Sequence, residues 1–283
     1  MSRIAYVSGA YAPLGQAAVP VEDRGFQFAD GVYDVWSLVN GRLLDRDAHI
    51  ERLARSLREL GIPSPMTQPA LLAVVRETIR RNRVRDGIVY LQITRGAAPR
   101  DHAFPRGTSP TLAVTVRTID RTALAKRTRE GVRVITTPDI RWGRCDIKSV
   151  SLLPNVLAKQ AAREAGAHEA WLVDRDGFVT EGTSSTAWIV DAEGRLRTRP
   201  LSNEILPSVT RAVLLKLARE RQMAVEERAF TVAEAKGAKE AFMSSASAVG
   251  ISIVAIDGAT IGAGAPGPVA QALNAAYFEG AAG

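Results

Sequence analysis

Hydrophobic and polar positions change period several times along the chain. After a short strand-like stretch at Arg3–Val7 and a turn-rich piece ending at Pro20, the segment FADGVYDVWSLVNGRLL alternates apolar and polar residues on either side of Asn40-Gly41. Alternation marks a strand with one buried face, and an Asn-Gly pair between two such runs marks a tight hairpin. The period then lengthens. Ile50, Leu53, Leu57 and Leu60 recur at helical spacing behind Asp47, and Gly61 with Pro63 ends the run, which predicts a helix over Asp47–Leu60. A second helix is predicted at Gln68–Asn82. Strands at Gly87–Arg95 and Thr111–Arg117 follow, separated by a loop rich in Gly and Pro.

The stretch IDRTALAKRTREG (119–131) is polar and reads as a linker. Beyond it, strands are predicted at 132–137, 169–174 and 185–190, the last ahead of a turn at Ala192–Gly194, with a helix at Leu153–Ala165 between the first two. A longer helix, Pro207–Arg221, has Pro in its first turn, where the missing N–H costs nothing. Then come Val225–Ala229, a helix near Thr231–Lys239, and strands at Ala241–Ser244 and Val249–Ile256. The Ala- and Gly-rich tail is expected to end in one amphipathic helix, and no internal repeat is found. The pattern predicts an α+β protein of two domains with a cleft between them: a smaller one over 1–118, a linker at 119–131 and a larger one over 132–283.

Composition narrows the class. With 46% hydrophobic and 24% charged residues, the 283-residue chain has enough apolar side chains for a packed core, which excludes disorder over most of its length, collagen and a disulfide-knitted scaffold. No apolar run is long enough to span a membrane, and the N-terminus shows no secretory h-region. The single cysteine, Cys145, has no partner for an intramolecular disulfide, so a reducing compartment, most simply the cytoplasm, is expected. The net charge of +7 is spread out. RETIRRNRVRD (76–86) alternates charge with apolar residues at helical spacing and reads as the solvated side of a helix rather than a nucleic-acid patch. A positive field also attracts small anions such as carboxylates and phosphates.

Several chemistries drop out. His49, His102 and His168 do not stand in HExxH spacing and the one cysteine has no partner, so no metal site is expected. GxxxxGK[ST] and GxSxG are both missing, and the tail GATIGAGAPG opens no βαβ unit. What remains is Lys148, set between Ile147 and Val150 and just ahead of Leu152-Leu153. A lysine held among apolar neighbours can lose its proton near neutral pH and serve as a Schiff-base nucleophile. The same pattern also describes a lysine that snorkels from an apolar surface.

Seven blocks in order decide between the two: EDRGFQFADGVYDV (22–35), HIERL (49–53), ITRGAAPRDHAFP (93–105), RWGRCDIKSVSLL (141–153), VTEGTSSTAWIV (179–190), SNEILPSVTR (202–211) and FMSSAS (242–247). Through them the chain resembles the fold-type IV (class IV) aminotransferases, which are pyridoxal 5'-phosphate enzymes, and among these the bacterial D-amino-acid transaminases, from about Val21 to Asp257. The resemblance implies that Lys148 carries the cofactor as a Schiff base and shuttles the substrate proton. It implies that Glu181 faces the pyridine nitrogen, and that Arg52 with the main chain of Val209 and Thr210 holds the phosphate. Pro207 supports the last point independently, because helix starts bind anions. Ala246 falls where related enzymes carry a hydroxyl residue, so Ser245 or a main-chain amide is expected to compensate. Arg100 and His102 match a two-apart carboxylate trap, Tyr33 matches an active-site tyrosine that helps bind carboxylate, and Trp36 is expected near the mouth of the pocket. In the family Arg100 and His102 reach the neighbouring subunit's site, so a homodimer is implied.

The expected reaction moves an amino group from a D-amino acid to a 2-oxo acid, of the type D-alanine plus 2-oxoglutarate. Two alternatives stand beside it: a branched-chain L-amino-acid or amine transaminase of the same fold, and a cofactor-free basic binding protein. No nucleic-acid or membrane partner is expected.

Overall fold

The computed structural model describes residues 3–282, which group into two units. The first comprises Met1–Ile119 together with a short strip from mid-chain, Ile147–Ser151; the second comprises Asp120–Asp146 and Leu152–Gly283.

The first unit opens with β1 (Ile4–Val7), β2 (Ala10–Pro13), a one-turn 3-10 helix (Leu14–Gln16) and α1 (Arg24–Phe28). It continues through β3 (Gly31–Val39), β4 (Arg42–Leu43), α2 (Arg46–Glu59), α3 (Gln68–Asn82), β5 (Gly87–Thr94) and β6 (Thr111–Thr118). Its strands form one antiparallel sheet in the order β2-β1-β6-β5-β3-β4. The predicted hairpin is present: Val39 pairs with Arg42, and Asn40 and Gly41 both take positive φ (51° and 81°), the pair of left-handed residues a type I′ turn requires. Apolar residues alternating along β3, β5 and β6 supply Val32, Trp36, Val89, Leu91, Ile93 and Val114 to the core. Against them α2 lays Ile50, Leu53 and Leu57, and α3 lays Leu71, Leu72 and Val75.

The second unit comprises α4 (Arg121–Glu130), β7 (Val132–Pro138), α5 (Leu153–Glu164), β8 (Glu169–Val173), β9 (Val179–Gly182), β10 (Thr186–Val190), β11 (Leu196–Thr198), α6 (Val209–Glu220), β12 (Val225–Glu227), α7 (Val232–Lys236), β13 (Glu240–Ser245), β14 (Ala248–Ile256), β15 (Ala259–Thr260) and α8 (Pro268–Ala282). Its sheet is mixed, in the order β12-β11-β10-β13-β14-β7-β8-β9 with β15 on β14; the pairs β11–β12, β14–β7 and β7–β8 are parallel. The core is built on Val134, Trp171, Val179, Ile189, Met243 and Ile253. The fully buried Trp188 stacks on Phe242 at 5.5 Å and donates its indole N–H to the Ser244 hydroxyl at 2.8 Å.

Three expectations change. The segment 119–131, read as a linker, is helix α4 of the second unit: Asp120 caps it by accepting from Ala123 N–H at 2.9 Å, and Leu124 packs toward the second core. The Lys148 strip, expected in the C-terminal domain, belongs to the first unit, because Ile147 is buried in that unit's core. Trp36, expected at a pocket mouth, is fully buried beneath the sheet, with its indole N–H toward the Arg46 carbonyl at 3.4 Å.

Truncating a fully buried tryptophan removes many contacts and leaves a cavity, so Trp36→Ala is expected to lower stability by about 3–5 kcal/mol. Urea unfolding followed by far-UV circular dichroism measures it; a midpoint equal to that of the unaltered protein refutes the placement.

Candidate active site

Lys148 is placed by the main chain. β4 covers only the Leu38–Val39 end of the outer edge of β3, which leaves the Gly31–Tyr33 end open. The mid-chain strip fills it. Val150 N–H donates to Gly31 O and Tyr33 N–H donates to Lys148 O, both at 3.0 Å, with Val32 and Ser149 forming an antiparallel bridge. From the other side, Lys148 N–H donates to the Ser56 hydroxyl of α2 at 3.3 Å. Glycine at position 31 is needed here, since a Cβ would meet Ile93 O at 2.8 Å and Thr94 Cα at 3.0 Å, both main-chain atoms.

The Lys148 side chain is half-buried, and its Nζ lies 4.2 Å from the centre of the Tyr33 ring. No carboxylate pairs with it among the described residues. Tyr33 in turn stacks on Tyr90 at 5.6 Å, and the Tyr90 hydroxyl donates to Gln92 Oε1 at 2.7 Å. Burial, with Tyr33 close by, pushes the Tyr90 phenol up to about 12.

Arg52 sits two turns along α2 from its start. Its Nε and an Nη2 hydrogen go to the two oxygens of Asp34, at 3.0 and 2.8 Å. His49, one turn earlier, lies with Nδ1 at 2.7 Å from Asp34 Oδ1, and because a carboxylate only accepts, Nδ1 carries the hydrogen. Asp34 is fully buried. Burial by itself would raise its carboxyl, but the Arg52 charge and the His49 and Arg52 hydrogen bonds outweigh that and hold it well below the usual carboxylate range.

Arg100 and His102 are both exposed, and both meet one ring. The Arg100 guanidinium lies 4.6 Å from the centre of Phe28 and the His102 ring 5.5 Å from it. Arg24 braces the loop from behind, donating to Asp101 O at 2.6 Å and lying 4.8 Å from the same phenyl ring. The loop base is tied by Arg95, which bonds both oxygens of Asp30 and covers the Phe104 ring at 3.6 Å.

The remaining candidates are in the second unit. Glu181, on β9, is nearly buried and accepts from Arg141, and the Leu206 N–H donates to both its oxygens at 3.3 Å. Arg141 is itself clamped by Asp139 through Nε at 2.9 Å and Nη2 at 2.6 Å. Burial would lower the Arg141 guanidinium, but the Asp139 and Glu181 carboxylates raise it above its ordinary value, so the cation persists at every working pH. Burial pushes the neighbouring Cys145 thiol up to about 11, so it is not a ready nucleophile. The loop after Glu181 is anchored on buried Glu169, which accepts from the Thr183 hydroxyl and main chain. Val209 and Thr210 begin α6, where Ser208 caps by accepting from Arg211 N–H at 3.2 Å. A helix leaves its first N–H groups without intrahelical acceptors, so those of Val209 and Thr210 are available to an anion. Ala246 lies in the turn between β13 and β14, next to half-buried Ser245.

The structure thus brings Lys148 together with Tyr33, and Arg100 with His102. Sequence reasoning missed Asp34, Arg141, Phe28 and Tyr90. Asp34 carried a signal: on β3 it shares a face with Val32, Trp36 and Leu38, an acid in an apolar row. Phe28 and Tyr90 carried none.

The profile of the amino-transferase class IV family matches residues 31–256. A D-alanine aminotransferase of Bacillus licheniformis is 44% identical over 261 residues, covering 92% of this chain and 91% of that one. Among solved structures, the branched-chain amino acid aminotransferase of Escherichia coli superposes with a TM-score of 0.90 at 22% identity, covering 99% of this chain and 94% of that one. A hypothetical aminotransferase from Mycobacterium tuberculosis, in its PLP-bound form, gives 0.84 at 24%, covering 98% and 99%. At those identities the two structures speak for the fold; the profile and the 44% identity establish that this chain belongs to the class IV aminotransferases.

Proposed function

We propose that this chain moves amino groups between D-amino acids and 2-oxo acids, of the type D-alanine plus 2-oxoglutarate to pyruvate plus D-glutamate, with Lys148 as its catalytic amine. One observation carries the reading: in a chain of this family, a half-buried amine without a carboxylate partner is pinned by main-chain bonds on both sides. The donors fit pyridoxal 5'-phosphate, since an unpaired amine suits its aldehyde, a carboxylate its ring nitrogen, and helix-start N–H groups with a guanidinium its phosphate. When bound, this cofactor of the family supplies an aldehyde carbon for the amino nitrogen and a protonated ring that takes up the electron pair left at the substrate α-carbon.

With the cofactor bound, Lys148 Nζ would hold its aldehyde carbon and, when released by the substrate nitrogen, would carry a proton from the substrate α-carbon to that cofactor carbon, and in the opposite direction when the acceptor is converted. The face of the Tyr33 ring favours the ammonium that Nζ becomes after taking the proton. Glu181, kept an oriented carboxylate by Arg141, would meet the ring nitrogen. Arg52, fixed in plane by Asp34, and the N–H groups of Val209 and Thr210 would hold the phosphate. The turn at Ala246 lacks a hydroxyl of its own, and Ser245 or a main-chain N–H serves instead. Arg100, His102 and Tyr33 hold the substrate carboxylate, and in a homodimer the first two serve the neighbouring subunit's site. With one cysteine and no membrane-length helix among the described residues, the protein is proposed to work in the cytoplasm. The branched-chain reading rests on shared fold alone, and the +7 charge was the only support for a cofactor-free binding protein.

The first test offers D- and L-alanine with 2-oxoglutarate to the purified holoenzyme. Pyruvate is expected from the D-isomer only; consumption of the L-isomer alone overturns the reading. Lys148→Ala is expected to cut the rate by roughly ten-thousandfold or more, and borohydride followed by peptide mass mapping should place a pyridoxyl group on Lys148 of the unaltered enzyme.

Loss of a charge-assisted bond to carboxylate is worth about 1.5–3 kcal/mol. Arg100→Ala is therefore expected to raise KM for D-alanine by about tenfold to hundredfold with a smaller change in kcat. A steady-state comparison showing KM unchanged excludes this residue from carboxylate binding.

The Asp34 carboxyl, lowered in the folded chain, contributes stability that is fully present above its unfolded value of about 3.9 and is lost as pH falls through its folded value. Asp34→Asn removes the negative charge that faces the buried Arg52 guanidinium and is expected to cost about 3–5 kcal/mol at pH 7. The same substitution should weaken cofactor retention on dialysis and flatten the fall in stability below about pH 4. Thermal melts from pH 3 to 8 that run parallel for both proteins would count against the pairing.

A further inference from the structure

Within the second unit, α4, β14 and α8 enclose an open furrow of about 430 Å³. Its floor is the β14 face carrying the buried Val249 and Ile251. One wall is α4, where Leu124 turns toward the core but the small Ala125 leaves the groove unfilled. The other wall is α8, where Phe278 stands exposed and the Asn274 side-chain amide is tied to Val249 O at 2.5 Å. None of the described lining residues is acidic, whereas Arg121 and Arg129 stand on α4 eight residues apart, or about 12 Å along the helix axis. Glu130 takes one Nη2 hydrogen of Arg129 at 2.8 Å, and a guanidinium has five N–H donors to offer.

We infer that this furrow binds a small amphipathic carboxylate, its apolar tail on Val249, Ile251 and Phe278 and its charge at the arginine rim. The volume is that of a small-molecule site. An apolar floor with a few polar groups at the edge is the lining such ligands use, and the excess of cations over anions selects a negative head group. None of the residues assigned above to catalysis, cofactor or substrate lines the furrow, so the inference does not depend on the transaminase reading. The site lies on the strand that follows the Ala246 turn, with Ser247 at its margin.

Isothermal titration of the holoenzyme with sodium octanoate at low ionic strength tests it, with octylammonium chloride as the probe of opposite charge. Saturable octanoate binding at one site per chain is expected, with none for octylammonium. Two variants probe the place: Ala125→Trp fills the furrow, and Arg121→Ala with Arg129→Ala removes the rim charge while touching only exposed positions. Each should weaken octanoate at least tenfold and leave kcat and KM for D-alanine as they were. The inference is overturned by absence of saturable binding, by binding that survives both variants and competes with D-alanine, or by an Ala125→Trp variant whose sedimenting mass falls, since the furrow would then be covered by a second copy of the chain.

Discussion

Two main-chain hydrogen bonds, Val150 to Gly31 and Tyr33 to Lys148, fix where the Lys148 amine can be. A lysine side chain has four rotatable carbons and would wander if its own backbone did. Here the backbone is held as a short extra strand on β3, with Ile147 sunk in the core beneath it and the Ser56 hydroxyl bonded on the far side. The same strand supplies Tyr33, so amine and ring share one rigid support. Orientation of this kind is the cheapest part of catalysis for a protein to build and the easiest to lose, since small displacements at the reacting atom carry large rate penalties.

The polar groups around this support follow one plan. Two of the carboxylates each accept from two cationic or ring donors: buried Asp34 from Arg52 and His49, and half-buried Asp30 from Arg24 and Arg95. In the second unit the plan inverts, with one arginine, Arg141, shared between Asp139 and Glu181. Burying a charge is costly unless it is met in kind, and the geometry here meets each one through more than one bond. What results is a set of guanidiniums and carboxylates that point in fixed directions before any ligand arrives. Preorganised charge of that sort stabilises a reacting group without having to rearrange around it.

Much of this was legible from residue order. The Asn40-Gly41 hairpin and helix α3 follow from local chemistry, whereas α6, placed by its sequence pattern at Pro207, begins at Val209 behind the Ser208 cap, so Pro207 stands just outside it, and Lys148 stood out among the apolar residues near it. What escaped has a common cause in long-range packing. α4 reads as linker because most of its side chains are polar, and only Leu124 reveals the face it turns inward. The membership of the Lys148 strip depends on an open edge of β3 more than a hundred residues earlier, which no window along the chain can see. Trp36, expected near the pocket mouth, stands an odd number of residues from Tyr33 along β3 and so lies on the opposite face, with Asp34 in the core. Asp34 itself was readable as an acid in the apolar row of β3, but its partners Arg52 and His49 lie on a helix that the strand's own pattern does not show.

Because residues 147–151 complete the first unit's sheet, that unit is assembled from pieces of chain on both sides of α4 and β7. During synthesis, then, a nascent chain that has emerged only as far as Ile119 presents the Gly31–Tyr33 edge with its N–H and C=O groups unmet. Such an edge invites any passing extended segment, including one from a neighbouring ribosome. The strip that carries Lys148 is also the one that closes this vulnerable border, so the placing of that amine and protection against misassembly are a single late event in the life of the molecule.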